Sequence, residues 1–187
     1  MNSGPAARVR VWDLAVRISH WTVAALVIAN WLNEGSSPIH RQLGTVALVV
    51  VGLRLLWGLI AKNHARLASF RPGIQAFFTY VAALRVRKPP RYLGHNPAAA
   101  WMVTLLWSLV ILLGISGWMM RMDYFWGDEW LQGVHAVIGY ALLAAVVIHI
   151  GGALWMSRLH DENLIAAMLH GDKPAPATPA STEVEPH

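Results

Sequence analysis

Hydrophobic and polar positions sort the chain into four long apolar runs, residues 14–32, 39–61, 98–120 and 133–155, separated by polar or charged stretches. Each run is close to or above the ~20 residues a helix needs to cross a bilayer, so four transmembrane helices are predicted. The break at 33–38, NEGSSP, reads as a short turn. A second short connection, 121–130, holds Asp123, Asp128 and Glu129. The segment 62–91 is longer, and within it 74–84 is apolar and aromatic but too short to span, which predicts a helix lying in the membrane interface. Asn96 and Pro97 suit the cap and the first position of the third span. After the fourth span, residues 158–173 carry Leu164, Ile165 and Met168 at amphipathic spacing, which predicts a short helix. The Pro, Ala, Thr and Glu tail at 174–187 reads as disordered. The expected fold class is an all-α membrane protein, a four-helix transmembrane bundle over residues 1–173 with a disordered cytoplasmic tail behind it.

Charge orients these spans. Residues 62–91 contain seven basic side chains (Lys62, Arg66, Arg71, Arg85, Arg87, Lys88, Arg91) and no acidic one, which assigns this loop to the cytoplasm by the positive-inside rule. Four antiparallel spans then return both termini to the same side. Arg8, Arg10 and Arg17 lead into the first apolar run without a small-residue cleavage site, so it is read as a retained span. The composition, 56% hydrophobic and 13% charged, agrees with an integral membrane protein of one domain in contact with lipid. Lys plus Arg total 15 against 10 for Asp plus Glu, but the basic residues flank apolar spans, so no nucleic-acid partner is expected. The absence of cysteine excludes disulfides, thiolate-held iron–sulfur clusters and covalent haem attachment through C-x-x-C-H.

The fourth run holds two histidines, His135 and His149, fourteen residues apart. That separation is ~21 Å along a helix and nearly a whole number of turns, so both imidazoles look out of one face at different depths. Ionisable groups within a span are costly without a role, and neutral imidazole is the commonest metal ligand. With the topology above, His20 opens the first span at the cytoplasmic level of His149, and His40 opens the second at the outer level of His135. Two ligand pairs follow from depth: His20 with His149, and His40 with His135. A small residue stands one turn after each, namely Ala24, Gly44, Gly139 and Ala153, leaving room for a flat macrocycle. Haem is favoured over a bare zinc or copper ion, which takes three or four protein ligands. Arg54, fourteen residues after His40, falls at the inner level; it either snorkels to the surface or meets an anion such as a haem propionate. His95 lies in the loop GHNP and reads as a cap-region or propionate-side residue, while His64, His160, His170 and His187 read as solvated.

The stretches VWDLAVRISHW (11–21), His40 with Gly44, GLRLLWG (52–58), GHNP (94–97), VHAVIGY with IHIGG, and ENLIAAMLHGDK (162–173) together resemble the bacterial cytochrome b561 family. That family is related to the b-type cytochrome subunits of nickel–iron hydrogenases. The resemblance implies a bundle enclosing two b haems, their irons held by His20 and His149 at the inner level and by His40 and His135 at the outer. It also implies a multi-pass protein of the bacterial inner membrane that passes electrons between a quinone, whose site is unassigned, and a partner outside. The implied partner is a periplasmic c-type cytochrome, or a hydrogenase or other dehydrogenase subunit that the protein anchors. Alternatively, the resemblance implies a superoxide:ubiquinone oxidoreductase. A structural anchor or metal transporter using the same histidines is the reading from another class.

The topology is testable with reporter fusions. A cytoplasmic reporter is expected to be active after Lys173 and a periplasmic one after Met122; the reverse pattern overturns the assignment of levels.

Overall fold

The computed structural model describes residues 7–33, 37–61, 66–67 and 73–175. The chain runs β1 (Arg8–Arg10), α1 (Leu14–Leu32), α2 (Pro38–Ile60), α3 (Ile74–Arg85), α4 (Pro97–Met119), a 3-10 turn (Asp123–Phe125), α5 (Glu129–Leu159), α6 (Leu164–His170) and β2 (Asp172–Pro174). Residues 34–36 of the polar connection at 33–38, much of the basic segment before α3 and the tail beyond residue 175 lie outside the described residues, as do His64 and His187.

The long helices start where the sequence supplies an oxygen to cap them. Asp13 accepts from the Val16 amide at 2.8 Å, Asn96 from Ala99 at 2.8 Å and Asp128 from Leu131 at 3.0 Å, while Ser37 accepts from His40 at 3.1 Å. Pro38 and Pro97 occupy first-turn positions where no amide is needed. α1, α2, α4 and α5 are each long and apolar enough to cross a membrane, and the protein is an integral membrane protein. Their outward faces carry large apolar side chains such as Leu53, Ile60, Val137 and Val147, an arrangement that is costly in water and favourable against lipid.

α1 packs against α2, α2 against α4, and α4 against α5; α3 lies against α4. The central core joins Ala47 and Val51 of α2, Leu109 and Val110 of α4, and Leu142 and Ala145 of α5. The end at which α1 and α4 begin and α2 and α5 finish is called the inner end below, and the opposite end the outer. α5 is 31 residues long, exceeding the apolar run 133–155 at both ends. Glu129 in its first turn and Arg158 in its last complement the helix dipole, which extends the helix past the apolar stretch.

The inner end holds a feature that the hydrophobic pattern does not reveal. β1 pairs antiparallel with β2, joining Arg8 to Pro174, Val9 to Lys173 and Arg10 to Asp172. Three-residue strands carry too few positions to display a period of two. α6 ends at Gly171, whose carbonyl accepts from the amides of Val11 at 2.8 Å and Trp12 at 3.0 Å. Side chains close the clasp further. Arg17 donates to the Leu169 carbonyl, Trp21 Nε1 to that of Met168 at 3.4 Å, and Trp57 Nε1 to Asp13 Oδ2 at 3.2 Å. Glu162 and Lys173 are both buried, paired at 3.8 Å, and Arg91 also engages the Glu162 carboxylate. Burial lowers the Lys173 pKa, with the Glu162 carboxylate acting against that shift.

Gly171 has φ +91°, and a Cβ there would lie 2.6 Å from the Trp12 carbonyl oxygen. Gly171→Ala is therefore expected to destabilise the protein by roughly 1–3 kcal/mol. Gly52→Ala, with nothing within 4 Å of its added Cβ, is expected to leave stability unchanged or slightly raised. Thermal melting in detergent measures both; equal melting temperatures for the two variants would contradict the clasp.

Candidate haem sites

α5 sets the geometry, because its uninterrupted hydrogen-bonded backbone carries His135 near the outer end and His149 near the inner end. Opposite His135 stands His40, in the first turn of α2; their ring centroids are 6.1 Å apart. Opposite His149 stands His20 of α1, with centroids 6.2 Å apart. Both pairings expected from depth are thus brought together. Two imidazoles facing one metal, each bonded through a nitrogen at about 2 Å, have centroids roughly 6 Å apart, so each pair fits a metal with two axial ligands. Among the described residues, no group of three or more His, Asp or Glu side chains gathers as a metal cage. Two donors per level match a metal whose other positions are filled by a macrocycle.

The outer pair is held in a defined state by its neighbours. Ser116 Oγ lies 2.8 Å from the Leu112 carbonyl and 2.8 Å from His135 Nδ1; with its proton on the carbonyl, its lone pair faces the Nδ1 hydrogen. His40 Nδ1 is 3.0 Å from the Asn33 carbonyl, which can only accept. His40 therefore carries hydrogen on Nδ1 and leaves Nε2 free, and the Ser116 hydroxyl can hold His135 in the same state, the arrangement that orients and strengthens a metal-binding imidazole. Gly117 admits the His135 ring; a Cβ there would sit 3.4 Å from Cε1. At the inner level His20 packs edge-on to Trp21 at 5.1 Å. Its Nδ1 is buried with no hydrogen-bond partner among the described residues, a polar atom with bonding capacity still to use.

The glycines distinguish packing from accommodation. A Cβ at Gly114 would meet Leu48 at 2.7 Å, the mark of a glycine required by close helix contact. One at Gly139 would meet nothing within 4 Å, and one at Gly44 only Asn30 Nδ2 at 3.5 Å. Neither is explained by helix–helix packing, and both fit the room a flat macrocycle takes beside its ligand. Trp31 and Tyr140 form a further ring pair between α1 and α5, with centroids 5.5 Å apart.

Arg54 is buried, only 6% exposed, so it does not snorkel to the surface. Its guanidinium lies over Trp107, 5.4 Å from the ring centroid, in cation–π geometry. His95 stacks against Trp12 at 4.7 Å. Burial first, then the positive charges of Arg54, Lys173, His149 and His20, push its pKa down to about 3, so the imidazole is neutral. The same influences place His95 among Arg54, Lys173 and the inner pair. Sequence reasoning missed Ser116, the Asn33 carbonyl and the Glu162–Lys173 pair. A lone hydroxyl within the apolar run LLGISGW is the one signal that pointed to Ser116.

Comparison with known proteins agrees with this arrangement. The family described as Prokaryotic cytochrome b561 matches residues 11–171. A probable Ni/Fe-hydrogenase B-type cytochrome subunit of Rhizobium leguminosarum bv. viciae is 22% identical, over 88% of this chain and 88% of that protein. Proteins of the same description are 25% identical in Bradyrhizobium diazoefficiens, over 88% and 85%, and 21% identical in Rhodobacter capsulatus, over 88% and 81%. No solved structure matches the chain significantly. With the family matched from the end of β1 to the end of α6, the chain belongs to the prokaryotic cytochrome b561 family and is a membrane haem-b electron-transfer protein.

Proposed function

We propose that this protein carries electrons across the bacterial inner membrane between the quinone pool and a redox partner on the other side, through two bis-histidine haem b sites. The observation that carries the reading is the pair of facing imidazole couples, 6.1 and 6.2 Å between centroids, at opposite ends of one helix face. His40 and His135 form the outer site and His20 and His149 the inner one, with Gly44 and Gly139 giving room beside the outer ligands. Haem b, when bound, supplies a one-electron ferric–ferrous couple. The chain's own contribution is to fix the ligands and their surroundings. Ser116 and the Asn33 carbonyl hold the outer imidazoles as Nε2 donors, and the apolar core between the levels keeps water from them. Arg54, buried at the inner level, provides a cation for a propionate carboxylate.

The basic segment 62–91 supports a cytoplasmic inner end, with both termini on that side. The names of the relatives support a hydrogenase as the redox partner.

Histidine variants test the pairing. His40→Ala and His135→Ala are each expected to remove the same component of the reduced-minus-oxidised spectrum, and about half of the bound haem, with the double variant resembling either single. His20→Ala and His149→Ala are expected to remove the other component in the same way. Loss of one shared component from folded His20→Ala and His40→Ala proteins would merge the two levels into one and overturn the proposal.

A second test concerns charge. A nearby cation stabilises the reduced state, so Arg54→Leu is expected to lower the inner component's midpoint potential by on the order of 50 mV, nearly tenfold in a one-electron equilibrium. Redox titration measures it; an equal shift of both components, or none, rules out the propionate contact.

A further inference from the structure

At the inner end, outside the helical core, α3 and the segment leading into α4 enclose a groove of about 520 Å³. Its volume falls in the range of small-molecule sites. Ala76, Tyr80 and Ala83 recur at helical spacing and form a smooth floor along one face of α3, with Gln75 and Thr79 beside them and Tyr92 on the facing wall. Tyr92 is exposed and offers a flat ring an aromatic surface, and its edge-on contact with the buried Tyr80 ring, 5.8 Å and 74°, fixes its orientation. Tyr80 is buried and its hydroxyl donates to Met156 Sδ at 3.5 Å, so this residue is wall rather than hydrogen-bonding lining. Gln75, Thr79 and Tyr92 are exposed and offer neutral donors.

We propose that this groove binds the ring of a membrane quinone. The proposal rests on the quinone-linked reading above and supplies the site that reading leaves open. A quinone is a flat ring with two carbonyl acceptors and an apolar tail, and the groove pairs the exposed Tyr92 ring with neutral donors. Its outer rim on α3 is lipid-like, with Ile74 58% and Phe78 62% exposed, which suits the tail. Among the described lining residues none is charged, so a phospholipid phosphate is not matched within the groove. Arg85, Arg87 and Lys88 follow at the end of α3, beyond the lining.

Position supports the same occupant. Met156, which receives the Tyr80 hydroxyl, lies seven residues after His149 on α5, on the order of 10 Å along the helix axis. α3 is also tied to α4 by the Phe77 and Trp101 rings at 6.4 Å, which holds the groove at the level of the inner pair. A quinone ring seated there lies at the inner end of the bundle, nearer His149 than His135 along α5.

The test uses the purified full chain with its haem in lipid nanodiscs, and an aryl-azide ubiquinone analogue as photolabel. Labelling is expected in the peptides carrying Gln75 to Tyr80 and Tyr92, and an excess of unlabelled decylubiquinone is expected to suppress it. Gln75→Leu with Thr79→Val is expected to cut labelling and decylubiquinol-driven reduction at least tenfold while the dithionite-reduced spectrum stays that of wild type. Val86→Ala, exposed just past α3 and outside the lining, is expected to behave as wild type. If wild type is labelled elsewhere, or the groove variant keeps its quinol-driven rate, the groove is not the site although the quinone reading stands. If wild type is neither labelled nor reduced by decylubiquinol or a menaquinol analogue, both fall. A tightly held phospholipid found in wild type and lost from the groove variant, with quinol reduction unchanged, assigns the groove to lipid and overturns the proposal.

Discussion

An imidazole inside a hydrocarbon layer has two nitrogens to satisfy and no water to satisfy them with. That constraint organises the bundle. The outer rings each set Nδ1 against a protein oxygen, Ser116 Oγ or the Asn33 carbonyl, and stand with centroids 6.1 Å apart. Each oxygen depends in turn on secondary structure. Ser116 faces α5 because α4 and α5 pack closely, and Asn33 is positioned because α1 ends there with its own amide bonded back to Asn30. A change in either helix's rotation would leave a buried imidazole nitrogen unmatched, so ligand orientation and helix packing are fixed together.

The inner end meets the same difficulty with full charges. Arg54, Glu162 and Lys173 are all buried, and charges in such a place persist only when paired. Glu162 sits between Arg91 and Lys173, which belong to the segment before α4 and to β2, while Asp13 at the cap of α1 takes the Trp57 indole and lies near Arg54. The acids are therefore joints between parts of the chain far apart in sequence. The β1–β2 ladder and Gly171 seal these joints from outside. The motif ENLIAAMLHGDK acquires a physical account from this arrangement. Its glutamate and lysine form the buried pair, its asparagine caps α6, and its glycine permits the backbone to pass beneath Trp12.

What could be read from the sequence divides along the range of the interactions. The four spans were legible because lipid demands long apolar runs, α3 as an apolar, aromatic segment too short to span, and α6 because its amphipathic spacing is local. The His20–His149 and His40–His135 pairings were legible too, since helix periodicity and alternating direction fix depth without any knowledge of packing. The clasp was not, because three-residue strands carry no pattern and their partner lies more than 160 residues away. Ser116 was hidden for a related reason: a hydroxyl in a transmembrane helix commonly bonds its own backbone, and only the α4–α5 register shows that it also serves His135. The burial of Arg54 belongs in the same class, for depth alone left snorkelling open until Trp107 was seen beneath the guanidinium.

Placing one ligand of each pair on a single helix has a mechanical consequence. The distance between levels, ~21 Å along α5, is set by backbone hydrogen bonds and not by tertiary packing. α1 and α2 supply the opposite histidines, one at each level, and the Asn33 carbonyl at the end of α1 also holds His40, so a shift of α1 reaches both levels. α5 is anchored against α4 through the central core and against α6 at its inner end. The ruler is therefore held by helices that carry none of the four histidines. This arrangement lets the inner end carry the clasp while His135 and His149 keep a fixed separation along α5.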